Sequence, residues 1–450
     1  MLLRFAAENI MSFKNAVEFN TFPSSKSHSH EWHKMTCGYV TALRMSAIYG
    51  ANGAGKSNLL KCIALLKSLV GAEKMGEADI AEDLYFKLDE NGKDTPSELA
   101  VEFFTEGKIF YYHLRFNRQE VFEEELLLSQ KSKDIRIFSR KDNDINVSGD
   151  YLRPGGKEDF IEVFMNAMNR IVRPDMLALS FFGKYYPEEL PTVKEAYDWI
   201  RRLQVVLPTM RIGYLPHVLD GDSEFAELVN SIMPELKTGI TKLGVRKEIL
   251  NEDEVRGNTT MTKAINAAKE HPGSPQMLME AHNNEISNIV VEDGVPYIKT
   301  LIAVHTNYNG DDVEMKMDME SDGTRRLIEY MPLLYAILKR DNVFVVDEIE
   351  RSIHPIMIKT LMSKISENRD AKGQIIFTTH ESCLLDQSIF RPDEIWFAQK
   401  DVDQSTQLYP LSDYNIHKTA NIENGYLNGR YGGIPFLSNL SDLKWCYDYT

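Results

Sequence analysis

Apolar positions along the chain fall into two patterns, short unbroken runs and runs with a spacing of three or four. Residues 45–49 form a short apolar run that leads into a glycine-rich stretch. After that stretch, apolar residues recur at Leu59, Ile63, Leu66 and Val70. A short run is typical of a buried strand, and the wider spacing places side chains on one face of a helix. The pattern therefore predicts a strand, a loop and a helix in that order.

Two apolar runs in the C-terminal half are also typical of buried strands, and each ends in polar residues. Residues 342–346 are followed by Asp347 and Glu348, and residues 374–379 are followed by His380. Near-continuous apolar runs indicate parallel strands covered on both faces, and ligands bind at the carboxyl ends of such strands. These runs predict an α/β fold with a functional edge.

The remaining pattern divides the chain into four segments. Residues 1–154 are β-rich, with aromatic and branched residues on both sides of a predicted hairpin turn at 106–108. Residues 155–290 are mainly helical and are interpreted as an insertion, which is either a lobe for partner contact or oligomerisation or a structural cap. Residues 291–400 complete the core, and residues 401–450 form a tail that is expected to pack on it.

The glycine-rich stretch Gly50–Ser57 reads Gly-Ala-Asn-Gly-Ala-Gly-Lys-Ser, a complete phosphate-binding loop. In such a loop the glycines let backbone N–H groups approach phosphates, Lys56 reaches the outer phosphates, and the Ser57 hydroxyl ligates Mg²⁺. A chance glycine-rich turn is the weaker interpretation, because the strand before it and the helix after it both fit. The predicted nucleotide-binding residues of this stretch are Gly50, Asn52, Gly53, Ala54, Gly55, Lys56, Ser57 and Asn58.

The acids and the histidine at the strand ends suit the other tasks of a nucleotide-hydrolysing site. Asp347, about 290 residues after the loop, would hold the Mg²⁺ shell through Ser57 or water, and Glu348 would polarise the attacking water. His380 lies where a side chain can contact a γ-phosphate. Acid pairs often merely end a strand and strand-end histidines are often structural, so these roles depend on the shared context. The predicted catalytic residues are Glu348, His380 and Lys56, and the predicted metal ligands are Ser57 and Asp347.

A further candidate anion site precedes the strand at 342–346. Ser321 and Gly323 open a predicted helix. The apolar stripe of this helix consists of Leu327, Met331, Leu334 and Leu338. Backbone N–H groups and the positive end of the helix dipole attract anions at such a start. The alternative is an ordinary helix capped by Ser321.

The order of these motifs, a phosphate-binding loop, Ser-x-Gly-Thr, apolar-Asp-Glu and Thr-His, resembles that of an ABC or SMC-type ATPase head. In addition, residues 8–14, 49–52, 347–355 and 426–435 are similar to the AAA-type ATPases of bacterial anti-phage systems. These include the overcoming-lysogenization-defect ATPases, the abortive-infection ATPases and the ATPase subunit of the PARIS system. The chain departs from transporter ATPases at Thr324 and shows no clear Q-loop glutamine.

The resemblance implies a P-loop NTPase fold of the ABC/SMC-head type, with an antiparallel β-subdomain and a helical insertion. It implies hydrolysis of ATP to ADP and phosphate, with Mg²⁺ as the cofactor. It also implies a homo-oligomer, at least a dimer, in which Ser321 and Gly323 of one subunit complete the nucleotide site of another.

Composition excludes several classes of protein. The 450 residues, of which 43% are hydrophobic, are enough for two or three domains with a large core. The four cysteines include no Cys-x-x-Cys pair, so neither a disulfide framework nor a zinc site is indicated. No segment predicts export or a membrane span, and we therefore expect a cytoplasmic protein.

The formal net charge of −16 argues against DNA binding by the overall electrostatic field. Non-specific affinity for DNA comes mostly from neutralisation of phosphates by Lys and Arg. Basic pairs such as Arg201 and Arg202 leave direct DNA contact open, although a solvated surface is the better explanation for them.

About seventy residues follow His380, fewer than the roughly 100 of a typical additional domain. An effector is therefore expected to be a separate polypeptide. We predict an ATP-dependent sensor and scaffold of an anti-phage, abortive-infection type system, which controls a separately encoded toxin or nuclease and responds to a phage-encoded trigger protein. The alternatives are a DNA-repair or chromosome-structure ATPase that clamps DNA, and the soluble motor of a transporter.

Overall fold

The computed structural model describes residues 1–78, 84–152, 158–208, 214–251, 258–278, 287–417 and 420–433. These residues form two compact units. The first comprises Met1–Leu207, Arg340–Ile349 and Met362–Thr450, and the second comprises Pro208–Lys339 and Glu350–Leu361. The boundary at residue 207 lies within the interval 155–290 of the sequence-based division. Of the predicted tail, residues 418–419 and 434–450 lie outside the described residues.

The strands of the described residues, in chain order, are β1 (Leu2–Glu8), β2 (Val17–Asn20), β3 (Lys34–Cys37), β4 (Val40–Leu43), β5 (Met45–Gly50), β6 (Ser97–Thr105), β7 (Lys108–Phe116), β8 (Val121–Ser129), β9 (Ile135–Lys141), β10 (Asp144–Val147), β11 (Gln204–Val206), β12 (Ile240–Ile249), β13 (Gln276–Leu278), β14 (Ser287–Glu292), β15 (Val295–Thr306), β16 (Asp312–Lys316), β17 (Val343–Val346), β18 (Gln374–Thr378), β19 (Ile395–Lys400) and β20 (Thr406–Pro410).

The helices are α1 (Lys56–Gly71), α2 (Glu158–Ile171), α3 (Ala178–Tyr185), α4 (Pro191–Arg202), α5 (Leu215–Gly221), α6 (Ser223–Ile232), α7 (Thr259–Glu270), α8 (Asp322–Glu329), α9 (Met331–Lys339), α10 (Pro355–Glu367) and α11 (Ile422–Leu427). Within the described part of the chain, none of them has the length and apolar character needed to cross a membrane.

A six-stranded sheet lies at the centre of the first unit, in the order β11, β17, β18, β5, β19, β20. Neighbours from β11 to β19 are parallel, and β20 runs antiparallel to β19. Every residue of β5, β17 and β18 is buried, so the parallel strands predicted from unbroken apolar runs are confirmed. Because neighbouring parallel strands end at the same edge, the residues that follow these three strands lie along one edge of the sheet.

A seven-stranded antiparallel sheet also belongs to the first unit, in the order β10, β9, β8, β7, β6, β1, β2. Strand β6 alternates between buried and half-buried residues along its whole length, as expected when one face of a sheet packs on a core. Glu106 and Gly107 join β6 to β7 with φ angles of 48° and 75°, which are the positive values of a type I′ turn. The predicted hairpin and the antiparallel β-subdomain are therefore confirmed.

Helices α1, α3 and α4 share a hydrophobic core with the seven-stranded sheet. Phe103 of β6 stacks on Trp199 of α4 with ring centroids 4.0 Å apart. The apolar face predicted for α1 is buried at all four positions, Leu59, Ile63, Leu66 and Val70. The buried Glu124 of β8 accepts hydrogen bonds from the backbone N–H groups of Ala178 and Leu179. A carboxylate at the start of α3 complements the dipole of that helix.

In the second unit, β12, β15, β14 and β13 form an antiparallel sheet, and β16 pairs with β15. Strand β12 lies in the interval where the sequence indicates mainly helix. Most of its side chains are exposed or half-buried, and they show no apolar alternation that would mark a strand. Pairing with β15 along the length of β12 therefore determines its conformation.

A buried cation in this sheet is compensated by two acids. Lys299 of β15 is buried, and its Nζ atom pairs with carboxylates of Asp220, at 2.6 Å, and Glu292. Hydrogen bonds from Lys247 and Lys299 lower the pKa of Glu292 from its ordinary 4.5 to about 2. The carboxylate of Glu292 is thus charged in the folded protein over almost the whole accessible pH range.

The helix that the sequence predicts to open at Ser321 is divided in the structure. Helix α8 ends at Glu329 and α9 begins at Met331. Pro332 lies in the first turn of α9 and has no N–H group to donate to the preceding turn, which explains the break. Three residues of the predicted apolar stripe are buried and Leu338 is partly exposed.

Candidate functional site

The phosphate-binding loop joins β5 to α1, with Gly50 closing the strand and Lys56 beginning the helix. Gly55 has a φ of 101°, and a Cβ atom there would lie 2.1 Å from Thr406 Oγ1. Any other residue would therefore collide with the packed side of the loop. At Gly53, with a φ of 76°, a Cβ atom would meet no atom of the described residues within 4 Å. The loop has an open side, and this side can receive a phosphate.

Thr406, the first residue of β20, supports the loop from its packed side. Its Oγ1 atom hydrogen-bonds to Ala54 O at 2.9 Å and to Ser12 Oγ at 2.8 Å. Asn58 Nδ2 donates a hydrogen bond to the same Ser12 Oγ atom at 2.8 Å. Buried polar groups require such partners, and Thr406 is fully buried. A chain of hydrogen bonds therefore fixes the loop and the start of α1 to β20.

Lys56 is buried, and its ammonium group lies over the loop. The Nζ atom donates hydrogen bonds to Gly50 O at 2.8 Å and to Ala51 O at 3.2 Å. It also lies 3.5 Å from His380 Nδ1. An ammonium group has three N–H donors, so it can make all three contacts when the ring nitrogen accepts. The structure thus brings two of the predicted catalytic residues together.

The two predicted metal ligands are in direct contact. Ser57 Oγ donates a hydrogen bond to Asp347 Oδ1 at 3.0 Å, although 290 positions separate them in the sequence. Asp347 is 2% exposed, and Thr378 Oγ1 donates to the same carboxylate oxygen at 2.6 Å. Hydroxyl and carboxylate oxygens are the hard ligands that Mg²⁺ prefers. The residues present therefore fit the cation that accompanies a nucleotide at such a loop.

Glu348 has a strained backbone. Its φ of 50° lies in the left-handed region, which costs a residue other than glycine about 1–3 kcal/mol and is concentrated at functional sites. The Glu348 N–H donates a hydrogen bond to Thr378 Oγ1 at 2.8 Å. Among the described residues, the half-buried Glu348 carboxylate has no hydrogen-bond or ion-pair partner. The carboxylate is therefore available to orient a water molecule.

The second predicted anion site lies at the start of α8, in the second unit. Ser321 Oγ accepts a hydrogen bond from the Thr324 N–H at 3.1 Å, so the serine caps the helix. A Cβ atom at Gly323 would lie 2.4 Å from Ser352 O. Glycine is therefore required where the backbone of the 350–354 loop approaches α8. Ser321 therefore caps α8, and Ser321 and Asp322 at the start of the helix are nevertheless exposed.

Five predicted residues, Lys56, Ser57, Asp347, Glu348 and His380, lie at the carboxyl edge of the parallel sheet in the first unit. Asn52 and Gly53 are exposed at the tip of the loop and Ala54 is buried. Ser321 and Gly323 belong to the second unit.

Sequence reasoning missed three supporting residues, Ser12, Thr378 and Thr406. Ser12 lies within the stretch 8–14 that contributes to the resemblance, and Thr378 lies within an apolar run as one of two adjacent threonines. Nothing in the sequence near Thr406 indicates its contact with the loop, because that contact arises from the pairing of β19 with β20.

A family model described as "AAA domain, putative AbiEii toxin, Type IV TA system" matches residues 45–175 and 186–386. The matched ranges contain the phosphate-binding loop, the start of α8, Asp347, Glu348 and His380. None of the curated proteins matches the sequence.

Among solved structures, the chain is similar to an SMC head bound to the C-winged helix domain of ScpA, with 14% identity, a TM-score of 0.40 and coverage of 91% of this chain and 97% of the other. It is also similar to the SMC head domain from Thermotoga maritima, with 12% identity, a TM-score of 0.38 and coverage of 92% and 99%. A third match is an Smc head domain with an extended coiled coil, bound to the C-terminal domain of ScpA derived from Pyrococcus furiosus, with 14% identity, a TM-score of 0.38 and coverage of 91% and 96%.

Proposed function

The chain belongs to the AAA-domain family whose description names the AbiEii toxin and a type IV toxin–antitoxin system, and from this premise we propose that it binds ATP with Mg²⁺ and hydrolyses it to ADP and phosphate. The observation that carries the proposal is the 3.0 Å hydrogen bond between Ser57 and Asp347. This contact joins the phosphate-binding loop to the acid that follows β17, as the binding of a nucleotide and its cation at one place requires.

We assign one role to each of the predicted residues at the carboxyl edge of the parallel sheet. A bound Mg²⁺ supplies positive charge that stabilises the phosphate oxygens during transfer. Ser57 and Asp347 would hold this cation, and the ammonium group of Lys56, which lies over the loop, would add a second positive charge beside the phosphates. Glu348 orients and polarises the attacking water, which is consistent with its unpartnered carboxylate among the described residues. We assign His380 the sensing of the γ-phosphate, and its 3.5 Å distance from Lys56 Nζ supports this assignment.

We further propose a homo-oligomer, at least a dimer, in which Ser321 and Gly323 of one subunit complete the nucleotide site of another. Ser321 and Asp322 are exposed at the start of α8. The first backbone N–H groups of a helix and its positive dipole end attract a phosphate approaching from outside. A partner subunit can therefore supply the nucleotide that this exposed helix start binds.

We propose that in the cell this protein is a sensor and scaffold in abortive-infection type defence against phage. The protein would restrain a separately encoded toxin or nuclease and release it when a phage-encoded trigger protein binds. The family description supports this role because it names a toxin–antitoxin system. ATP can shift such a complex only by its differential affinity for two conformations, and a nearly complete shift needs about 5.5 kcal/mol. Nucleotide and trigger together can supply this free energy.

The test is co-expression of the chain with its gene neighbour in bacteria that are then challenged with phage. We expect protection by the wild type, loss of protection with Lys56→Ala, and co-purification of the neighbour. Lys61→Ala is the matched control, because Lys61 is exposed on the same helix. Protection that survives Lys56→Ala, or protection by this chain without a neighbour, would refute the sensor and scaffold role. A salt-sensitive affinity for duplex DNA would favour the DNA-clamping alternative.

A further inference from the structure

Thr378, the last residue of β18, connects two residues of the proposed site through one hydroxyl group. The residue is fully buried. Its Oγ1 atom donates a hydrogen bond to Asp347 Oδ1 at 2.6 Å and accepts one from the Glu348 N–H at 2.8 Å. The side chain of one acid and the backbone of the next are therefore attached to the same oxygen atom.

The direction of these two hydrogen bonds follows from the groups involved. A backbone N–H can only donate, so the Thr378 oxygen must accept from Glu348. An ionised carboxylate can only accept, so the single hydroxyl proton of Thr378 must point to Asp347. The Thr378 hydroxyl thus both donates and accepts a hydrogen bond, and among the residues of similar size only serine can make the same two bonds.

The two contacts restrain the parts of the site that most need restraint. Asp347 Oδ1 accepts from Ser57 as well as from Thr378, so its carboxylate is held from two sides. Glu348 has the strained φ of 50°, and such a conformation persists only where surrounding contacts enforce it. The hydrogen bond from the Ile349 N–H to Thr378 O, at 3.1 Å, adds a second restraint on the same turn.

We propose that Thr378 is a positioning residue for the ATPase reaction, which aligns the metal-binding carboxylate of Asp347 and the backbone of Glu348 at the same time. The inference rests on the proposed ATPase function. Partners behind a metal ligand typically change metal affinity or activity by about 10–100-fold when they are removed. Loss of this one hydroxyl should therefore impair both Mg²⁺-dependent nucleotide binding and turnover.

The experiment compares Thr378→Val, which removes only the hydroxyl, with Thr378→Ser, which retains it. Thr21→Val is the matched control, because Thr21 is also fully buried and its Oγ1 atom donates to the backbone oxygen of Leu2. For each purified protein, the Kd for ATP is measured with Mg²⁺ and with a chelator, and kcat is measured at saturating ATP. The ratio of the two Kd values reports on Asp347 without requiring turnover.

We expect Thr378→Val to reduce kcat by about 10–100-fold and to reduce the gain in affinity from Mg²⁺ by a comparable factor, with the Kd in chelator unchanged. Thr378→Ser and Thr21→Val should retain both quantities. In a Glu348→Gln background, Thr378→Val should lower kcat further by less than it does in the wild type, because the contribution made through Glu348 is already lost and only the one made through Asp347 remains.

Wild-type kcat and a wild-type Mg²⁺ effect in Thr378→Val would overturn the inference. Equal impairment of the Val and Ser variants would also overturn it, since the hydroxyl would then be irrelevant. If the wild type binds ATP but shows no turnover, the proposed hydrolysis fails, and the Mg²⁺ effect in the variants alone decides the role of Thr378. If Thr378→Val does not fold, Thr378→Ala is measured in the same way, and the same ratio decides.

Discussion

Replacing Glu348 by Gln tests the residue to which we assign the activation of water. Gln has nearly the same shape, and it keeps both the N–H that donates to Thr378 and the left-handed backbone at a φ of 50°. Because the Glu348 carboxylate has no partner among the described residues, the substitution removes no folding contact. The free energy of unfolding should therefore change by less than about 0.5 kcal/mol.

The effect is expected in the chemical step instead. A positioned general base contributes about 10²- to 10⁴-fold to a rate. At 1.36 kcal/mol for each factor of ten, this corresponds to a barrier higher by roughly 3–5 kcal/mol. Glu348→Gln should show this loss in kcat, whereas its Kd for ATP should stay close to that of the wild type, because we assign the carboxylate to the water and not to the nucleotide.

The assay is release of phosphate at saturating ATP and Mg²⁺, accompanied by equilibrium ATP binding and by unfolding in denaturant. Glu350→Gln is the matched control, as the next acid in the same motif. A wild-type rate in Glu348→Gln together with a large loss in Glu350→Gln would transfer the role to Glu350. A fall of more than about 1 kcal/mol in the unfolding free energy of Glu348→Gln would contradict the interpretation that the Glu348 carboxylate makes no structural contact among the described residues.

Three further outcomes are expected. Thr406→Val should lower the free energy of unfolding by about 1–3 kcal/mol, because it leaves the buried Ala54 carbonyl without its hydrogen-bond partner. It should also weaken ATP binding, whereas the control Thr21→Val should affect stability alone. Equal ATP affinity in both variants would show that the loop does not need the support of Thr406. Glu292→Gln should lower the free energy of unfolding by about 1 kcal/mol near neutral pH, which is the usual size for a partly exposed ion pair. Since the pKa of Glu292 is lowered from 4.5 to about 2, the difference from the wild type in denaturant titrations should be complete above pH 4.5 and should vanish as the pH falls towards 2. A difference that persists at about pH 2 would exclude this linkage. Mixing Lys56→Ala chains with Ser321→Arg chains should restore part of the ATPase activity that each lacks alone, because some mixed dimers then hold one intact composite site; turnover by a wild-type protein that sediments as a monomer would exclude such sites.

The sequence predicts those parts of the site that lie on a continuous motif or a fixed period. The loop Gly50–Ser57 is one uninterrupted stretch, and the strands before Asp347 and His380 are unbroken apolar runs whose burial follows from composition alone. The turn at Glu106 and Gly107 was predictable because glycine there permits the positive φ that a two-residue hairpin requires.

The remaining parts depend on contacts between distant segments. Thr406 reaches the loop only because β20 pairs with β19, beside β5, and nothing near Thr406 in the sequence encodes that pairing. Thr378 and its neighbour Thr379 are the same residue type and are equally buried. Only their hydrogen bonds separate them, since Thr378 Oγ1 donates to Asp347 whereas Thr379 Oγ1 accepts from the Glu381 N–H. Strand β12 shows no apolar alternation, so its conformation follows from pairing with β15 rather than from its own sequence.

The position of β5 between β18 and β19 has a consequence for synthesis of the protein on the ribosome. Both neighbours of β5 are encoded more than 300 residues after it, and a ribosome adds about 5–20 residues per second. The apolar strand that carries the phosphate-binding loop therefore waits for tens of seconds before either of its edges is paired. Residues 208–339, most of the second unit, are made during this interval as one continuous stretch. The nucleotide site is thus completed late in synthesis, and its apolar strand is a segment of the nascent chain that a chaperone would protect while its edges are unpaired.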